Sequence, residues 1–470
     1  MNMIHGKQLF VLTEQIKKQG YKSLCFWLPA YNVGGGTYLL YQMAEYLAQN
    51  TDLKIYYVDY EGGYPHSLAA SDSKVQFVNY KDGDIKIPIL EPVILITNTT
   101  RACQIINFHE NSKLLFWHYE TFQNAWESVF FFGETSKFFR LIRDNHAIFY
   151  HDWSGKMSMN MQCKNVQFTN KDYIQVFLEP LPAIKNHKIV DANTINVGWL
   201  GRLGHDKIYA LFNAIKQFDD VQTDKKKVFH IIGDGPNKNT VVEFCKNYME
   251  RIQFVFTGTI PHDNLPQYLQ TNIDILFAVG TSTIEAARLK IPSVILMVSP
   301  KEYDSNNFIW LFDTKEYAVS ILPEHKSFFD VSYVTMEEIL SSIYVDNQKE
   351  TLGEKCYEYY LSNHSDYGSI IEKLLQFCIE TTLTFKQLKK CLKFIPYNIM
   401  EVSQLSIKGK ALFSKVGYRN CIKYKFLTRT FWEKRIEKNI TYYYFMGIIR
   451  MPFYTKKISG FKFPVAKFRG

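Results

Sequence analysis

No two cysteines of this 470-residue chain form a C-x-x-C pair; the eight (Cys25, Cys103, Cys163, Cys245, Cys356, Cys378, Cys391, Cys421) are scattered. That spacing argues against a zinc ribbon or a disulfide scaffold and fits a reducing cytoplasm, with all eight read as packing residues. Long apolar runs are missing too. No window approaches the roughly 18 uninterrupted apolar residues of a spanning helix. The N-terminal run reaches only from Leu9 to Leu12, too short for a signal peptide. No H-E-x-x-H metal signature appears. Acidic residues are almost absent from one region: residues 381–470 hold 20 Lys and Arg against Glu401, Glu433 and Glu437. That segment has a net charge of +17 within a chain of +9, so the remainder stands at −8. An acidic body with a basic end points to separate tasks.

Aromatic residues are abundant, with 36 Phe, 31 Tyr and 7 Trp. The hydrophobic fraction of 46% and charged fraction of 21% describe a globular chain long enough for two ordinary cores. Residues 20–180 alternate short apolar runs (Leu24–Leu28, Lys54–Val58, Val75–Val78, Val93–Thr97, Leu114–Trp117, Ala147–Tyr150) with helical or loop stretches. From Thr37 to Ala48 the spacing of Leu39, Leu40, Met43 and Leu47 predicts an amphipathic helix. A two-proline linker at Glu179–Asn193 interrupts the rhythm, which then restarts. The second half predicts strands at Ile195–Leu200, Val228–Ile232, Gln253–Phe256, Ile273–Ala278 and Ser293–Met297. Its predicted helices are Ile208–Phe218, Thr240–Met249 and Thr283–Leu289, with a closing helical region over 354–378. Strands alternating with helices imply α/β domains built on parallel sheets. The boundaries read as 20–186, 190–378 and a basic aromatic extension over 381–470.

Ligands of such sheets sit beyond the carboxyl ends of the strands. Asn32-Val33-Gly34-Gly35-Gly36-Thr37 leaves the first strand and enters a helix, so Gly35 and Gly36 let backbone amides approach an anion or a sugar. A tight connection accounts for the same glycines equally well. In the second domain Gly201-Arg202-Leu203-Gly204-His205-Asp206-Lys207 follows the first strand, and Arg202 with Lys207 can converge on a diphosphate. The bland alternative is two solvated charges. Gly233-Asp234-Gly235-Pro236 and Gly258-Thr259-Ile260 are sharp glycine turns; the backbone at Thr259 and Ile260 could lie against a nucleobase. Val279-Gly280-Thr281-Ser282-Thr283-Ile284-Glu285-Ala286-Ala287 reads as a strand running into a helix start. There Gly280, Thr281 and Ser282 could meet phosphate, and Glu285, placed in the first turn, could accept ribose hydroxyls. Carboxylates near helix starts are also common dipole partners with no ligand.

Together these motifs resemble the retaining glycosyltransferases of family 4, whose GT-B fold pairs two facing Rossmann-like domains. The resemblance covers roughly Ser23–Phe377 and is sharpest from Val197 to Val298. It implies that the first domain takes the acceptor and the second the nucleotide-sugar donor. It also implies that Arg202 and Lys207 hold the donor diphosphate and that Glu285 binds the ribose. Further implications are retention at the anomeric carbon and chemistry without a cofactor or bound metal. In similar enzymes a histidine at the cleft contacts donor sugar or acceptor, which makes His118, at the end of Leu114-Leu115-Phe116-Trp117-His118, a third catalytic candidate. Asp152, after another strand, is an acceptor-side candidate. One departure stands out. The family often shows Glu-x7-Glu, and the position eight residues before Glu285 is Phe277.

The expected reaction is transfer of a sugar from a nucleotide diphosphate to a saccharide or lipid-linked saccharide, as in bacterial surface polysaccharide or lipopolysaccharide synthesis. A catalytically silent nucleotide-sugar-binding scaffold, kept open by Phe277, and a GT-B-fold epimerase are the alternatives. In residues 381–470, 18 aromatic side chains interleave with the positive charge. That composition suits an anionic membrane surface, placing the chain in the cytoplasm as a peripheral protein of the inner face. Nucleic acid is not expected, since no binding motif accompanies the charge.

Overall fold

The computed structural model describes residues 3–31, 34–80, 89–105, 108–119, 134–162, 165–181, 191, 193–261, 263–392, 399–407, 410–418, 421–426, 429–437, 440–445 and 449–453. The first sheet contains β1 (Ser23–Trp27), β2 (Lys54–Tyr60), β3 (Gln76–Tyr80), β4 (Ile94–Asn98), β5 (Lys113–His118) and β6 (Ile148–Tyr150). Its order is β3-β2-β1-β4-β5-β6, and every pairing is parallel. β1 and β4 are buried along their whole length, as strands covered on both faces must be. The second sheet repeats the plan with β7 (Thr194–Leu200), β8 (Lys226–Ile232), β9 (Ile252–Gly258), β10 (Ile275–Ala278), β11 (Ser293–Ile295) and β12 (Ile309–Trp310). Its order is β12-β11-β10-β7-β8-β9, with only the edge strand β12 antiparallel. In both sheets the order reverses beside the first strand, which opens a crevice at the carboxyl ends. Two Rossmann-like domains are the GT-B architecture that the resemblance implies.

The helix Gly35–Asn50 (α2) buries Leu39, Leu40, Met43 and Leu47 against the first sheet, the face its periodicity predicts. Each fully buried side chain of this kind contributes about 1.5–3 kcal/mol over leaving it in water. An N-terminal helix, Met3–Lys18 (α1), was not foreseen. It buries Leu9, Leu12 and Ile16 and packs on the helix Tyr367–Glu380. The chain returns to the first domain at its C-terminal side: Thr381 Oγ1 donates to Leu114 O (2.8 Å), and Lys113 bridges Thr384. Leu383, Phe385, Leu388 and Leu392 then join the core that contains Trp27, Phe116 and Tyr150.

The basic extension holds a third sheet, which composition alone did not reveal. β13 (Ile399–Ile407), β14 (Lys410–Tyr418), β15 (Cys421–Phe426), β16 (Arg429–Glu437), β17 (Ile440–Phe445) and β18 (Ile449–Phe453) form an antiparallel meander in chain order. Register aligns Tyr424, Trp432, Phe445 and Ile449 in one row across four strands. Lys423, Glu433, Tyr444 and Arg450 form the adjacent row. Adjacent rows belong to opposite faces of a pleated sheet.

Candidate functional site

The carboxyl ends of β7, β8, β9 and β10 bring the second-domain motifs together. β7 lies between β8 and β10, with Leu200 opposite both Ile232 and Ala278. The loops carrying Arg202 and Lys207, Gly233, and Gly280 to Ser282 therefore leave neighbouring strands at one edge. Gly201 N donates to Ile232 O (3.0 Å), Leu203 N to Asp234 O (3.0 Å) and Gly233 N to Gly258 O (2.9 Å), stitching three turns into one surface. Glycine is required at Gly233: its φ is 130°, and a Cβ there would stand 2.2 Å from Gly201 O. Gly280, two residues past β10 and capping the helix that starts at Thr281, has a φ of 70°, a region essentially reserved for glycine.

Arg202 is exposed and reaches Asp206 at 3.4 Å. Lys207 is half-buried at the start of the helix Ile208–Asp220 and forms no ion pair among the described residues. Loss of solvation pulls its pKa below the usual lysine value, opposed by Asp206 and reinforced by the Arg202 charge. Burying an ammonium without a carboxylate partner costs free energy, and an arriving diphosphate would relieve that cost.

Glu285 differs from its expected position. The helix begins at Thr281, so Glu285 is its fifth residue and lies past the first turn. Its carboxylate is paired with Arg288 at 2.5 Å, and Arg288 Nη1 donates to the linker carbonyl of Glu179 at 3.1 Å. Glu285 is thus held between the second domain and the linker. Its charge also helps to raise the pKa of half-buried Tyr38 on α2, after desolvation, which is the larger cause. Sequence reading missed Arg288 and Tyr38. The i,i+3 spacing of Glu285 and Arg288 was the available signal. Phe277 is fully buried inside β10, its ring 5.7 Å from Phe308. With only Val279 and Gly280 between strand and helix, the position eight residues before Glu285 falls in the sheet, where a carboxylate would be buried in the apolar core.

The first domain supplies the facing wall. A Cβ built on Gly35 would lie 3.6 Å from Thr281 Oγ1, and one on Gly36 would enter the Tyr119 ring at 2.8 Å. His118 ends β5 and is fully buried, with Nδ1 3.0 Å from Thr99 Oγ1. Asp152 is also fully buried. It accepts Gly155 N (2.9 Å) and, across the domain contact, Val319 N (3.3 Å), while His151 Nε2 stands 3.0 Å away. Oδ1 thus serves the local turn and Oδ2 the domain contact, which ties this carboxylate to structural partners. Ser282 and Ile260 are half-buried beside their turns. Among the described residues no group of three or more His, Cys, Asp or Glu could hold a metal, and no helix is long and apolar enough to cross a membrane.

The strand orders and the paired Rossmann-like domains define a GT-B fold. No protein-family model matches the chain. The chain is similar to the 2-deoxystreptamine N-acetyl-D-glucosaminyltransferase of Streptomyces fradiae, 34% identical over 97 residues. That stretch is 19% of this chain and 23% of the relative, so the match spans under a quarter of the curated protein. Among solved structures, a glycosyltransferase from Rickettsia africae aligns over 79% of this chain and 99% of its own at 12% identity, TM-score 0.47. Alr3699/HepE of Anabaena, solved in complex with UDP-glucose, aligns over 75% and 98% at 12% identity, TM-score 0.46. WaaG, a glycosyltransferase involved in lipopolysaccharide biosynthesis, aligns over 75% and 98% at 10% identity, TM-score 0.40.

Proposed function

We propose that this protein transfers a sugar from a nucleotide diphosphate to a saccharide or lipid-linked saccharide acceptor. One observation carries the reading. The desolvated Lys207, with no ion pair among the described residues, follows β7, and the Gly280 turn follows the neighbouring β10, where Thr281 comes up against Gly35 at the start of α2. The local match to a curated N-acetylglucosaminyltransferase supports it.

In the proposed mechanism Lys207 and Arg202 stabilise the charge that builds on the departing diphosphate. The backbone at Gly280 and Thr281 contributes amides at the same edge. Glu285, oriented by Arg288, would meet the nucleoside ribose. The acceptor hydroxyl approaches from the first domain, and retention at the anomeric carbon follows from the family resemblance. His118 acts, in this reading, through backbone and Thr99 contacts that shape the floor of the acceptor side.

The basic sheet would hold the enzyme at an anionic membrane surface, where each Lys or Arg near the headgroups adds about 1 kcal/mol. Rows of alternating composition across β15–β18 support this. Flotation of the full chain with anionic and neutral vesicles tests it, since equal binding to both removes the electrostatic attachment.

Screening nucleotide sugars by thermal shift, then assaying release of the nucleoside diphosphate, tests the main reading. A second reading, a nucleotide-sugar-binding scaffold without turnover, is favoured by Phe277 in the core. Binding with no release from any donor–acceptor pair would support it. Full turnover in a variant carrying both Arg202→Ala and Lys207→Ala would remove the proposed site.

A further inference from the structure

A cavity of about 510 Å³ opens where three parts of the chain meet. Lys171 and Tyr173 come from the first domain, Thr314, Glu316 and Tyr317 from the second, and Tyr359, Lys373 and Phe377 from the crossover helices Lys349–His364 and Tyr367–Glu380. None of its lining residues belongs to the glycine turns, and no proposed role uses it.

Its chemistry is specific. Aromatic rings of Tyr173, Tyr317, Tyr359 and Phe377 supply flat apolar surface, and polar groups are set between them. Lys373 is half-buried, with Nζ 5.7 Å from the centre of the Tyr317 ring, and forms no ion pair among the described residues. Asp366 acts on Lys373 only at longer range, and its oxygens accept Ser369 N (3.1 Å) and Ser369 Oγ (2.6 Å). Burial lowers the Lys373 pKa. Glu316, the acidic group of the wall, is already shared by Lys156 (3.0 Å) and Lys171 (2.9 Å). The wall therefore keeps a surplus of positive charge.

The backbone points the same way. Glu316 and Tyr317 are consecutive non-glycine residues at φ of 47° and 61°. Such strain persists only where surroundings impose it, and it concentrates at ligand clamps and switches. Here Trp153 N donates to Glu316 O at 3.0 Å, fixing the strained turn to the first domain.

We propose that this cavity binds a saccharide unit bearing a carboxylate or phosphate, at a site distinct from the donor cleft. The ring would rest on Tyr317, Tyr359 and Phe377, and the anion on Lys373. That the occupant is a saccharide rests on the glycosyltransferase reading; the demand for an anionic ring compound rests on the cavity. Titration calorimetry on the full chain with glucuronate, glucose 6-phosphate, glucose and inorganic phosphate tests the proposal. The two anionic sugars are expected to bind at least about tenfold more tightly than glucose or phosphate alone. Lys373→Gln should weaken them by about tenfold or more, while Lys373→Arg retains them. Lys207→Ala should leave both anionic sugars bound. Absence of binding, indifference to Lys373→Gln, or loss on Lys207→Ala each overturns the site. Binding through Lys373 in a chain that ignores every nucleotide sugar would instead overturn the transferase reading alone.

Discussion

A methyl group placed on Gly35 would stand 3.6 Å from Thr281 Oγ1, so the N-terminal ends of α2 and of the helix Thr281–Ala287 approach within one side chain of each other. Gly35 has no left-handed φ, and α2 includes it. Gly35→Ala should therefore stabilise the fold by about 0.4–1 kcal/mol, chiefly by restricting the unfolded chain. The same methyl narrows the proposed donor cleft, and nucleotide-sugar KM should rise. Denaturation midpoints and steady-state kinetics would then move in opposite directions.

Gly233→Ala should be far more damaging. The added carbon would sit 2.2 Å from Gly201 O at a φ of 130°, where neither backbone can yield cheaply. A loss of at least about 2–3 kcal/mol is expected in urea unfolding.

Lys207→Ala should lower kcat by about 10²-fold or more if its charge develops contact with the leaving diphosphate. Arg202→Ala should cost less, because Arg202 is exposed and already engages Asp206. Circular dichroism melts of Arg202→Ala should overlay the parent, because that side chain is exposed, whereas Lys207→Ala removes a desolvated ammonium and should melt no lower than the parent.

Glu285→Gln separates two roles. It leaves the buried Arg288 guanidinium without its 2.5 Å partner, and breaking a buried pair costs about 3–5 kcal/mol. Activity loss in this variant should come with a lowered unfolding midpoint, and Glu285→Asp should recover part of both.

Acid should weaken the fold in two windows. His364 is fully buried, held neutral by desolvation with a pKa of about 4 against the ordinary 6.5, despite the carbonyl of Val176 favouring its charged form. A histidine pKa depressed on folding contributes stability that is complete above 6.5 and is lost as pH falls toward 4. The Glu316 pKa is lowered to about 2: desolvation, its largest influence, acts upward, and hydrogen bonds from Tyr173, Lys171 and Lys156 outweigh it. Its contribution is present above 4.5 and is lost as pH falls through 2. Urea midpoints measured from pH 7 to 2 should show both declines, and Glu316→Gln should flatten only the lower one.

The strands and helices of both domains were legible because each carries a clear period. α2 was expected over Thr37–Ala48 and runs Gly35–Asn50; β8 was expected over Val228–Ile232 and runs Lys226–Ile232. Ends shifted by a few residues where glycine or a polar residue continues the backbone pattern. The helix expected over Thr240–Met249 starts at Lys238 and breaks into a 3₁₀ turn after Cys245. The turns at Gly233, Gly258 and Gly280 were legible as well, since each takes a positive φ that few other residues adopt. The partners of site residues were not. Asp152 meets Val319 through a fold-level contact 167 residues apart, which no local spacing encodes. The antiparallel sheet over 399–453 was hidden because Lys, Arg and aromatic residues alternate there without an apolar core period.

The return of residues 381–392 to the first lobe has a consequence for synthesis. Leu383, Phe385, Leu388 and Leu392 pack beside Trp27 and Phe116, yet they leave the ribosome some 350 residues later than Trp27. The lobe that is translated first is thus completed last, after its neighbour has been made. Until then its nascent form exposes the groove these side chains fill, a surface for chaperones rather than a finished folding unit.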